Sequence, residues 1–192
     1  MQTDRQKEIV NVALKLISEK GIQGFTIKNL SKEIGITEPA IYRHFENKIQ
    51  ILITILESFK ENTKKIFASE EDRNEKAIEK IGAIFSMHFN LLSNRPELVS
   101  IIFAEEIFRN EAILTKMISE IIKDNEQVLC KIIMEGQNNN ELRKDVDAKY
   151  LSTVIMGSLR LFVKKWQFSN NSYNLVKDGK QFTESIKLLI LK

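Results

Sequence analysis

The chain has 192 residues, 43% of them hydrophobic, enough to bury a substantial core and to form a small domain beside a larger one. A formal charge of +3 is too mild to mark the whole surface as a nucleic-acid binder, so an electrostatic footprint, if present, has to be local. A single cysteine, Cys130, excludes an internal disulfide framework and any cysteine-rich metal site.

Only two prolines and seven glycines interrupt the chain, and long stretches repeat their apolar residues every 3.6 positions. The expected fold is therefore all-α, with about nine helices. The first runs from about Asp4 to Lys20, buries Ile9, Val12, Ala13, Leu16 and Ile17, and stops at Gly21. Thr26 stands where an N-cap belongs, ahead of a helix from about Ile27 to Ile34 that buries Ile27, Leu30 and Ile34. Gly35 takes the position where a left-handed residue turns the chain sharply. Thr37 then caps a short helix from Glu38 to about Phe45, with Pro39 in its first turn, where the missing amide hydrogen has no intrahelical partner to lose.

That succession is a helix-turn-helix. Ile41 and Phe45, four residues apart, lock the second helix inward, leaving Glu38, Pro39, Ala40, Tyr42, Arg43 and His44 free to face outward. A face carrying Tyr, Arg and His suits phosphates and base edges of double-stranded DNA.

Asn47 can cap a fourth helix, from about Lys48 to Ala68, that joins this head to the rest. Further helices are expected near 73–93, 96–108, 111–136, 147–167 and 174–191, with Pro96 in the first turn of the sixth. Gly136 and the following Gln-Asn-Asn-Asn run mark the clearest loop. The eighth helix, Y-L-S-T-V-I-M-G-S-L-R-L-F-V, has one charge in fourteen residues and needs cover on nearly every side, more than one core can provide. No apolar stretch approaches the roughly 20 residues needed to span a bilayer, and the N-terminus is polar, so a cytoplasmic protein is expected.

The stretch T-I-K-N-L-S-K-E-I-G-I-T-E-P-A-I-Y-R-H-F-E-N-K resembles the DNA-binding domain of the TetR family of bacterial transcriptional regulators, through Thr26, Gly35, Thr37, Ile41, Tyr42, His44, Phe45 and Lys48. Ser31 stands where the family more often has Ala, a substitution small enough for close helix packing. The resemblance implies a three-helix DNA-binding head, residues 1–48, and a ligand-binding and dimerisation body, residues 49–192. It implies that Tyr42, His44 and Lys48 grip phosphate oxygens, supported at helix starts by Thr26, Lys28 and Thr37. Sequence reading would fall to Glu38, Pro39, Ala40 and Arg43.

The resemblance also implies a homodimer formed through the last two helices, which reads an inverted repeat with half-sites about 34–36 Å, or a multiple of that, apart. A small, apolar effector is expected in the body, lined by Phe85, His88, Phe89, Phe103, Phe108, Met117, Met134, Met156, Arg160, Phe162 and Trp166, with His88 and Arg160 facing its head group. No cofactor or metal is expected. Two His, one Cys and no phosphate-cradling glycine loop offer nothing for catalysis. The alternative reading is a DNA-organising or partner-recruiting dimer without an effector, whose filled body would look much the same in sequence.

Overall fold

The computed structural model describes residues 3–103 and 111–192. Among these residues nine helices follow one another: α1 (Asp4–Gly24), α2 (Ile27–Ile34), α3 (Glu38–Tyr42), α4 (Lys48–Glu71), α5 (Ala77–Asn94), α6 (Glu97–Ile102), α7 (Ala112–Asn138), α8 (Ala148–Phe168) and α9 (Leu175–Ile190). The one β-type pairing described is an isolated antiparallel bridge between Leu142 and Leu191. The chain forms two compact units, one from the residues up to Lys60 together with Pro96–Ile118, the other from Glu61–Arg95 together with Ser119–Lys192.

In the first unit α1 packs against both α2 and α6. Thr3 and Gln6 start α1 with a reciprocal capping box, the Gln6 amide donating to the Thr3 hydroxyl and the Thr3 amide to the Gln6 side chain. Gly21 sits at φ 66°, ψ 178°, outside helical geometry, so Ile22–Gly24 is a separate turn that delivers Phe25 to the core. The buried stripe of α1 includes Val10 and Leu14 beside the expected Ile9, Ala13, Leu16 and Ile17, whereas Val12 is half-buried. Ile34, expected inside, is also half-buried, because α2 ends there and its last turn lies at the edge of the core.

The Thr26 hydroxyl accepts from the Asn29 amide at 3.1 Å, and Gly35, at φ 79° and ψ 31°, closes α2 by donating to the Ser31 carbonyl. Thr37 does not act as the expected side-chain cap. One amide within its reach belongs to Pro39 and carries no hydrogen, and the next, of Ala40, bonds the Thr37 carbonyl at 3.0 Å. Regular helix in α3 ends at Tyr42 rather than Phe45, and 43–44 continue as turn, with the amides of His44 and Phe45 both donating to Ile41. Asn47 caps α4 through the Gln50 amide at 3.0 Å.

In the second unit α5 and α9 are packed side by side through two glycines. A Cβ on Gly179 would stand 2.4 Å from the Phe89 ring, and one on Gly82 would stand 2.8 Å from the Lys187 stem. Gly136 near the end of α7 is pressed equally closely against Ala77 and Leu142. The loop that follows is held by Gln137, whose side chain donates to the carbonyls of Arg143 and Val146 at 2.9 and 2.8 Å, and Asp147 then caps α8 through the Lys149 amide. The sixth expected helix is described only over α6, and the rest of its range lies outside the described residues.

The Phe89 ring is buried, so Gly179→Ala should cost roughly 1–3 kcal/mol by overpacking. Thermal denaturation should show a melting point lower by several degrees.

Candidate nucleic-acid interface and helical body

The second and third helices present the surface named from sequence. Ile41 is fully buried and Phe45 nearly so, as are Phe25 and Leu30 of the same unit. With those two side chains pinned, α3 cannot roll, and the opposite face is fixed toward solvent. Glu38, Pro39 and Arg43 are exposed, Tyr42 is 50% exposed, and Ala40 and His44 are half-buried. Thr26, Lys28, Thr37 and Lys48 are exposed at or near the starts of α2, α3 and α4.

The charges divide by helix. On α1, Arg5 pairs with Glu8, Lys7 with Asp4, and Lys15 with Glu19 and Glu33. Among the described residues Lys28, Arg43 and Lys48 have no carboxylate within pairing distance, so their charge is turned outward. Gln6, which sequence reading did not single out for this surface, donates to the His44 carbonyl at 3.3 Å and braces the end of α3 from α1. Its part in the capping box with Thr3 is a local pattern, whereas its contact 38 positions away leaves no local trace.

In the second unit, Phe85 and Phe89 of α5 join Phe162 of α8 in an aromatic cluster that also contains Phe182 and Tyr173, two residues sequence reading did not name. Phe162 and Phe182 stack with centroids 4.4 Å apart. Trp166 is buried and its indole donates to the Tyr173 carbonyl at 2.9 Å. Met156 and Arg160 are half-buried on α8, and Met134 is 52% exposed. Phe103 and Met117 are half-buried members of the first unit, and Phe108 lies outside the described residues.

His88 is buried with its ring edge-on to Phe67, centroids 5.5 Å apart, and its Nδ1 lies 3.0 Å from the Ile84 carbonyl. Burial lowers its pKa, only partly offset by that hydrogen bond, so the ring is neutral and Nδ1 carries the proton. Burial pushes the Cys130 thiol up, with Asp147 and Glu126 adding to the shift, which favours the protonated thiol. No cluster of three or more potential metal ligands occurs among the described residues, and none of their helices is long and apolar enough to cross a membrane.

One face of α8 carries large apolar side chains that stay exposed among the described residues. Tyr150, Val154, Leu161 and Phe168 are exposed and fall within about 40° of each other around the helix, with Gly157 between them. Leu188 and Leu189, 77% and 64% exposed, do the same near the end of α9. Surfaces of this kind mark protein interfaces.

A helix-turn-helix with unpaired outward cations, followed by a helical body with an uncovered apolar face, defines a DNA-binding transcriptional regulator that works as a dimer. The family model for the N-terminal domain of bacterial regulatory proteins of the tetR family matches residues 9–55, and that for the C-terminal region of YsiA-like proteins matches residues 52–191. The chain belongs to the TetR family. It is 31% identical over 172 residues to the fatty acid metabolism regulator protein of Bacillus subtilis (strain 168), covering 88% of this chain and 87% of that protein. It is 25% identical over 179 residues to the nucleoid occlusion factor SlmA of Vibrio atlanticus (strain LGP32), covering 88% and 91%. Among solved structures, the transcriptional regulator FadR from Bacillus subtilis in complex with stearoyl-CoA matches with a TM-score of 0.79 and 25% identity, over 94% of this chain and 96% of that one. The fatty acid degradation regulator FadR from Bacillus halodurans shares the fold, with a TM-score of 0.84 and 22% identity over 97% and 96%.

The buried neutral His88 makes stability depend on pH. Above the unfolded value near 6.5 both states are neutral there. Below it the unfolded chain takes up a proton that the folded chain resists, so stability falls as pH drops toward the lowered folded value. Denaturant melts between pH 7.5 and 5.5 should show that loss, and His88→Gln should flatten it.

Proposed function

We propose that this regulator is a repressor that grips an inverted-repeat operator with two copies of its head and releases it when an apolar, acyl-type effector binds the body. The observation that carries the DNA reading is the α3 face, held from below by buried Ile41 and Phe45 and flanked by Lys28, Arg43 and Lys48, which pair with no acid among the described residues. Residues 1–48 serve as the head and 49–192 as the body, and the protein works in the cytoplasm, where chromosomal DNA is reached.

In this reading Tyr42, His44 and Lys48 hold phosphate oxygens. Thr26 and Lys28 do so at the start of α2, where orphan amides and the helix dipole already favour an anion. The Thr37 hydroxyl, unused as a cap, is left for a phosphate. Glu38, Pro39, Ala40 and Arg43 meet base edges: a carboxylate accepts from a cytosine amino group, a methyl packs on a thymine methyl, and a guanidinium bonds guanine.

The effector class is supported by the fatty acid metabolism regulator at 31% identity and by the related structure holding stearoyl-CoA. Release requires only that operator and effector favour different states of one dimer, with a coupling on the order of 1–3 kcal/mol. A second reading, a DNA-organising dimer with no effector, is favoured by the similarity to the nucleoid occlusion factor.

Fluorescence anisotropy with a selected operator separates these parts. Lys48→Ala should weaken all sequences alike and reduce the slope of log K against log salt by about 1 per head, about 2 for a dimer. Glu38→Ala should instead relax the preference at one position of each half-site. Stearoyl-CoA at micromolar concentration should weaken operator binding by tenfold or more. No response to any acyl compound would favour the DNA-organising reading.

A further inference from the structure

The exposed apolar surface of α8 and α9 carries a projection at one end of α8 and a groove at the other. Phe168 is the last residue of α8 and is 75% exposed, with the Lys164 ammonium 5.0 Å from its ring centroid. The first residue of α8, Ala148, lies about 30 Å away along the helix. The loop leading into it, with Arg143 and Asp145, forms an open groove of about 450 Å³ with Leu188, Leu189 and Leu191. Leu188 and Leu189 thus belong both to the groove and to the exposed apolar surface.

The groove is held in shape by its own bonds. The Leu142–Leu191 bridge and the Arg143 amide, which donates to the Ile190 carbonyl at 3.1 Å, tie the loop to the end of α9. The Arg143 guanidinium donates from Nε and Nη2 to the two Asp145 carboxylate oxygens at 2.7 and 2.6 Å, and from Nη1 to the Leu189 carbonyl at 3.2 Å. A planar group held by three bonds has a fixed orientation, and its side chain remains 39% exposed. With its charge balanced by Asp145, this flat group beside three leucines suits the face of an aromatic ring. The large aromatics exposed among the described residues are Tyr42, Tyr150 and Phe168. Tyr42 belongs to the first unit, and Tyr150 stands at the groove's own end of α8, two residues after Ala148.

We propose that Phe168 of the partner subunit seats in this groove, so that the dimer is locked by one aromatic contact made twice. A two-fold axis crossing α8 at right angles, midway between Tyr150 and Phe168, reverses the partner's helix and brings its last turn to the groove end. An axis along the helix would instead set Phe168 against the partner's Phe168 and groove against groove, leaving both grooves unfilled. Gly157 lies near the crossing point, and a Cβ there would meet nothing within 4 Å, so the two helices can approach closely. The proposal rests on the dimer reading and deepens it by naming what selects the partner. A related chain that lacks the ring, or the fork of Arg143 and Asp145, would leave a groove empty and pair less tightly.

The test is photocrosslinking of the full-length protein with p-benzoylphenylalanine in place of Phe168, followed by peptide mapping, alongside dimer dissociation constants for wild type, Phe168→Ala, Leu189→Ala and the double variant. Irradiation should give a covalent species of twice the chain mass, with the adduct in residues 143–145 or 188–192 of the partner. Each single substitution should weaken the dimer roughly tenfold or more, and the double variant should lose little beyond the larger single loss, because both remove the same contact. Phe168 and Leu189 are exposed in the single chain, so neither change should disturb its helices. An adduct at or near residue 168 of the partner, a dimer that gives no adduct between chains, or losses that multiply in the double variant would overturn the proposal and leave the dimer intact. A wild-type protein that is monomeric at micromolar concentration would overturn both.

Discussion

The apolar stripe along α8 and the end of α9 is the constraint from which the rest follows. Tyr150, Val154, Leu161, Phe168, Leu188 and Leu189 stand in water, the last four of them more than 60% exposed. Burying one such side chain is worth roughly 1.5–3 kcal/mol. Six of them on each partner offer a gain large enough to offset the 4–15 kcal/mol or so that association costs in lost freedom. A second copy of the same face is the self-complementary solution, and two-fold symmetry then supplies two DNA-reading heads. A single α3 of five residues touches too few base pairs to specify an operator alone.

Within each head the physical problem is that so short a helix has no stability of its own. It is held by Ile41 and Phe45 from below, by Gly35 and Pro39 at its entrance, and by Gln6 at its exit. Because these restraints act on the inner face and the ends, the outer face is free to vary with the operator.

The head was legible because its signals are local. A hydroxyl before a helix, a glycine after it and two apolar residues four apart each act within a few positions, and their joint spacing named the motif. The exception is Thr37, where the cap signal was present but Pro39 removed the amide it would have served. The body was less legible. Helical periodicity tells which side of a helix is buried and not what it is buried against, so Phe182 and Tyr173, which complete the aromatic cluster, passed unnoticed. Nor could spacing show that α6 packs on α1, or that Gly82 and Gly179 are places where α5 and α9 approach closely.

The measurement that tests the central claim most directly is sedimentation equilibrium of the wild-type protein at micromolar concentration without DNA. The account predicts a species of twice the chain mass of 22.3 kDa, converted to the single-chain mass when Val154 and Leu188 are both replaced by Glu. A wild-type protein that sediments as a monomer under those conditions would contradict it, because the uncovered face of α8 and α9 would then have to be explained by something other than a second copy of the chain.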